Sequence, residues 1–295
     1  MHSAIRRNET SGDRNGSTHG RMEILFYALA VLLTTTAIVS CFPLFHVTNN
    51  WAENTLMFVP GLMAVAFRLR NHEGFRSVGW GAGPAVYWLW AILLPIIVLA
   101  IVLPLSIRLG YAAMAPLSTA HGRLLTHPVK ILENLLLYTA ISLPLAFGEE
   151  FGWRGYAQGK LVREFGLLKG LLLLGLLWGF WHTPIYYVMG DSPAHPILGP
   201  FVMTPIDNIL AVVPMAWLYL KSRSIWIPTL THAFADVLWG FSDLLFPKSH
   251  EMQSWALLQT AQLILSIILL MNLRSKQEDA HITADQASPF PAVGT

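Results

Sequence analysis

The chain has 295 residues, of which 54% are hydrophobic and only 12% charged, about half the charged share of an average soluble domain. A net charge of +2 is too small to mark a nucleic-acid-binding surface, and the lone cysteine, Cys41, excludes an intramolecular disulfide and a Cys-rich metal motif. With a mean hydropathy of +0.50, the composition predicts an all-α polytopic bundle whose partner is the lipid bilayer.

Taken in chain order, residues 1–21 are polar and read as a disordered cytoplasmic tail. They are no secretory signal, because the following apolar run is too long and lacks a clear cleavage site. Apolar stretches of spanning length then follow at 22–45, 52–67, 84–107, 131–151, 170–189, 198–220, 225–246 and 253–272. A helix of about 20 residues crosses a bilayer core, so these predict about eight transmembrane helices within 22–274. The second is the shortest, and Pro200 and Pro205 interrupt the sixth. Residues 275–295 are again polar and read as a second disordered tail.

An even helix count places both termini on one side, and the basic residues assign that side to the cytoplasm. Of the 19 Lys and Arg, only Arg108, Arg123, Lys130 and Lys248 fall in segments on the opposite face. The expected home is a bacterial cytoplasmic membrane, crossed several times. Trp51, Trp80, Trp226 and Trp255 lie near helix ends, where indoles anchor at the membrane interface.

Against this background the fourth apolar stretch ends on Glu149-Glu150-Phe151-Gly152-Trp153-Arg154. Ionised groups in hydrocarbon are costly, so such residues pair with one another or line a wet cavity. Residues four apart share a helix face, which predicts a Glu150–Arg154 pair and leaves Glu149 pointing elsewhere with no local partner. The division suggests a brace in Glu150–Arg154 and chemistry at Glu149. Gly148, Gly152 and Gly155 would let another helix or a substrate strand approach closely. Taken alone, the run also reads as an interfacial salt bridge with Glu149 snorkelling to water.

Two histidine motifs move the reading toward chemistry. His182 follows Trp178 by one turn, and His232 precedes Asp236 by one turn, so that the carboxylate can orient the imidazole. Counted at the helical rise from the cytoplasmic ends, Glu149 lies roughly 6–8 Å deep, His232 about 10 Å, Asp236 about 16 Å and His182 about 18 Å. These depths are compatible with one cavity open to the cytoplasm, lined by Glu149, His182, His232 and Asp236. Two routes to amide hydrolysis stay open. Glu149, His182 and His232 can hold a divalent metal such as Zn²⁺ that activates water, or Glu149 and a histidine can activate water with no metal while the other polar groups hold the oxyanion. A covalent route has less support, because Cys41 is remote and no serine lies in these motifs. The other polar groups read as structural: Asp207 as an interhelical hydrogen bonder, and Asp243, Asp191 and His195 as solvated. Trp153, Trp178 and Trp181 read equally well as site walls or ordinary core.

The order Glu-Glu-x-x-x-Arg, aromatic-x-x-x-His, His-x-x-x-Asp on successive apolar segments resembles the CPBP family, the CAAX proteases and bacteriocin-processing (Abi) enzymes. Glu149, Glu150 and Arg154 fill the first motif, His182 the second, and His232 with Asp236 the third, within a core of about 130–246. One position departs: Trp178 stands where the family pattern has Phe. The resemblance implies an intramembrane endopeptidase acting on membrane-associated or lipidated protein or peptide substrates, CAAX-type processing included. By carry-over Glu149 activates water with His182, while His232 and Asp236 stabilise the oxyanion or complete the site. Such a protease can be zinc-dependent or metal-free. The competing reading is a non-catalytic membrane scaffold or immunity partner using the same fold.

Overall fold

The computed structural model describes residues 11–46, 54–190 and 194–286, and among them the regular structure is helical, with one isolated antiparallel bridge between Ala112 and Lys248. The helices are α1 Ser11–Ser40, α2 Phe58–Arg70, α3 Ala85–Arg108, α4 Ala120–Leu124, α5 Pro128–Gly152, α6 Gly159–Phe165, α7 Leu167–Met189, α8 Thr204–Ser222, α9 Trp226–Leu245 and α10 Glu251–Gln286. Two π-helical turns join them, Trp153–Gln158 between α5 and α6 and Gly199–Met203 before α8. Trp51 and Asp191, with residues 1–10 and 287–295 of the two expected tails, lie outside the described residues.

Among the described residues six helical stretches are long and apolar enough to cross a membrane, starting at Gly20, Ala85, Pro128, Leu167, Gly199 and Glu251. They match six of the eight expected spans, and the protein is an integral, multi-pass helical bundle. The other two spans are helical as well. α2 has 13 residues, too few to cross alone at about 1.5 Å per residue, and α9 carries His232, Asp236 and Asp243 within its 20. Helical backbone also extends into both segments read as disordered tails, from Ser11 in α1 and to Gln286 in α10. A helix already formed in the bilayer needs no new nucleus to grow outward into polar sequence.

Large apolar side chains are exposed as well as buried. On α10, Leu263, Ile264, Ile267, Ile268 and Met271 are exposed along one face, while Ser266 is buried and donates to the Leu210 carbonyl. Spacings of three and four residues place those apolar side chains on one stripe, the surface a lipid tail covers.

The chain divides into two units, residues 1–80 with 144–209, and residues 81–143 with 210–295. In the first, α7 packs on α1 and α6 and is bounded by two left-handed glycines, Gly166 (φ 77°) and Gly190 (φ 76°). The Gly190 N–H donates to Tyr186 O, the usual close of a helix whose next residue must adopt positive φ. α2 meets the end of α5 at bare backbone, where a Cβ on Gly61 would come within 2.5 Å of the Gly148 carbonyl oxygen. The small residues flanking the two glutamates thus serve a close helix contact. In the second unit α3 packs on α9 and α10, and Trp217 donates to Asn272 Oδ1 at 3.0 Å.

Candidate active site

Glu149 and Glu150 are 1% and 0% exposed, at the end of α5. Two adjacent buried carboxylates demand compensation. Glu150 receives it from the π-helical turn that follows: Arg154 Nη1 donates to Glu150 Oε1 at 2.8 Å, with neither side chain exposed. This is the pair that the four-residue spacing predicts.

Glu149 is not left without a partner, which corrects the expectation from sequence. The Trp178 indole N–H on α7 donates to Glu149 Oε2 at 2.6 Å. Neighbours on a helix point about 100° apart, so the second carboxylate faces another helix where no sequence-local spacing reveals its partner. The Arg154 guanidinium lies 4.3 Å from the centroid of the same indole ring. Trp178 therefore meets one glutamate through its N–H and the other glutamate's arginine through its ring face.

His182 is set by the same turn of α7. Its Nδ1 lies 2.9 Å from the Trp178 carbonyl oxygen. A carbonyl only accepts, so Nδ1 carries a proton and donates it. The ring packs edge-on to Trp181, with centroids 4.5 Å apart, and against Tyr186. Trp181 is fixed in turn, because its indole N–H donates to Thr35 on α1 at 2.7 Å. Glu149, Glu150, Arg154, Trp178 and His182 form one connected set inside the first unit.

His232 and Asp236 belong to the second unit, on α9. Asp236 Oδ2 lies 3.4 Å from His232 Nε2; the histidine side chain is 5% exposed and the aspartate 56%. The geometry suits the orienting role expected of the carboxylate. A cavity of about 80 Å³ adjoins this turn, lined by Thr231, Ala235 and Trp239 with Pro95, Pro214 and Met215. Asp243 pairs with Lys248 at 2.9 Å in an exposed position.

Zinc sites take three or four N, O or S ligands around one point. Among the described residues no three His, Cys, Asp or Glu side chains are grouped so as to hold a metal ion.

A supporting network was not evident from sequence. Arg68 on α2, 3% exposed, donates to the Gly155 carbonyl in the π-helical turn, and also to Gly74 O at 2.7 Å and Ser77 Oγ at 3.2 Å. Glu23 on α1 accepts from Lys160 at 2.8 Å and from Tyr156 and Asn71. Lys160 also pairs with Glu73. The turn that carries Arg154 is thus tied to α1 and α2 on either side. Arg68 reads from sequence as one more topology-setting charge; its place on a mostly apolar helix was the available signal.

Residues 131–238 match the family model described as type II CAAX prenyl endopeptidase Rce1-like. All three motifs, from Glu149 to Asp236, lie inside that stretch. Over this core the chain is similar to that family. The resemblance to CPBP intramembrane proteases, first visible in the motifs, is borne out over this Rce1-like segment. A CAAX prenyl protease 2 of Methanococcus maripaludis is 34% identical over 79 residues, 25% of this chain and 29% of that protein. The chain thus matches less than a third of the length of this curated relative.

Proposed function

We propose that the chain is an intramembrane endopeptidase in which Glu149 activates water to hydrolyse a peptide bond of a membrane-associated protein or peptide. The observation that carries this reading is the buried Glu149 carboxylate, aimed by the Trp178 N–H within the Rce1-like segment. Glu149 takes a proton from water; the oxygen adds to the scissile carbonyl; the tetrahedral oxyanion collapses as the C–N bond breaks and the proton passes to the leaving amine. His182, its Nδ1 engaged by the Trp178 carbonyl, is assigned by the motif to act with Glu149 on that water. By their place in the family motif, His232 and Asp236 are assigned to the oxyanion, the Asp236 carboxylate orienting the ring. No step requires a metal. Glu150 and Arg154 act as the brace.

The similarity to a CAAX prenyl protease makes a lipidated protein ending in a CAAX sequence the substrate class to test first, the reaction releasing the C-terminal tripeptide. In orientation, both termini face the cytoplasm. The test compares membrane and secreted peptides from cells carrying wild type, Glu149→Gln or His182→Ala, each at equal membrane abundance. Uncleaved precursors accumulate in both variants if the assignment holds. A scaffold using the same fold leaves the peptide profile unchanged, and that result would remove the enzymatic reading.

A further inference from the structure

We infer that Trp178 is a positioning residue for Glu149, acting through its indole N–H. The inference rests on the reading of Glu149 as the base. Phenylalanine at this position offers a ring face and no polar hydrogen. Tryptophan offers both, and both are engaged: the N–H on Glu149 Oε2 at 2.6 Å, the ring face under the Arg154 guanidinium at 4.3 Å. The residue is 3% exposed, and its indole cannot swing to solvent for another acceptor.

The ring is held where it is by packing on its own helix. At Gly179, the next residue, a Cβ would approach Pro205 Cα within 2.5 Å, so α7 sits directly on the start of α8 and cannot shift without a clash. Arg154 is in turn fixed by Glu150 at 2.8 Å. The two carboxylates are therefore oriented through one indole, Glu149 directly and Glu150 by way of Arg154. An N–H aimed at one oxygen of a buried carboxylate favours one rotamer of that side chain. A base held in place spends less of each encounter out of line with the attacking water.

The test uses the full-length protein in lipid vesicles with an internally quenched, prenylated CAAX peptide as probe. Two variants remove the N–H: Trp178→Phe, and Trp178 replaced by β-(3-benzothienyl)alanine, which keeps the indole outline with sulfur in place of N–H. The second variant keeps the test sound should the smaller ring destabilise the core. Both are expected to lower kcat about 10- to 100-fold with KM within about twofold, the signature of lost orientation rather than lost substrate binding. As an independent readout, the ¹⁵N-indole resonance assigned to Trp178 moves upfield in Glu149→Gln, where a neutral amide replaces the charged acceptor. A benzothienyl variant as fast as wild type, with Glu149→Gln inactive, would overturn the positioning role alone. Wild-type cleavage by Glu149→Gln would instead overturn the Glu149 reading beneath it.

Discussion

Arg154 and Glu150 meet at 2.8 Å with no exposed surface on either side chain, so neither can trade its partner for water. Deleting one member of such a pair strands the other charge. Arg154→Met is expected to lower the free energy of unfolding by about 3–5 kcal/mol, and the double change Arg154→Met with Glu150→Leu to restore much of it. Thermal unfolding in detergent micelles checks both, and equal losses in the single and double variants would contradict the brace. At this scale the four-residue spacing alone makes the pair legible in the sequence. The Glu149 partner is not legible there, because Trp178 lies 29 residues away and only the packing of α7 on the end of α5 brings its N–H to the carboxylate. A tryptophan in an apolar run reads as core or anchor until its nitrogen is seen to point at an acceptor.

Between elements, contacts are made where side chains are missing. Gly61 and Gly148 let α2 lie backbone to backbone on the segment preceding Glu149. Gly61→Val forces that contact apart, with an expected loss of about 1–3 kcal/mol from overpacking, read as a lowered thermal midpoint. The π-helical turn Trp153–Gln158 is the second such feature, of a kind that recurs at functional sites. Arg68 holds its Gly155 carbonyl from across α2. Arg68→Met is therefore expected to reduce both stability and cleavage, whereas Arg70→Met, on an exposed position of the same helix, leaves both near wild type. The glycines around the glutamates signal a close approach in the sequence. The π-turn and its arginine do not, since a one-residue insertion in helical bonding leaves no periodic trace in so short a segment.

For the whole molecule, hydropathy is the dependable guide: the bundle and six of its spans follow from apolar length alone. α2 and α9 are where that guide weakens, one too short and the other carrying the polar motif of the second unit. Orientation is testable with a residue the chain already has. Cys41, exposed just beyond α1, is the lone thiol and is expected at the outer face. A membrane-impermeant maleimide should label intact cells through it, with Cys41→Ser as the blank; labelling only after the membrane is opened would reverse the topology. The chemistry itself is tested most directly by single-turnover cleavage of a prenylated CAAX peptide by purified protein in vesicles, wild type beside Glu149→Gln. With both proteins folded to the same thermal midpoint, the variant is expected to be slower by about 10²–10⁴-fold, the usual worth of a general base. Equal rates for the two would show that the water is activated elsewhere.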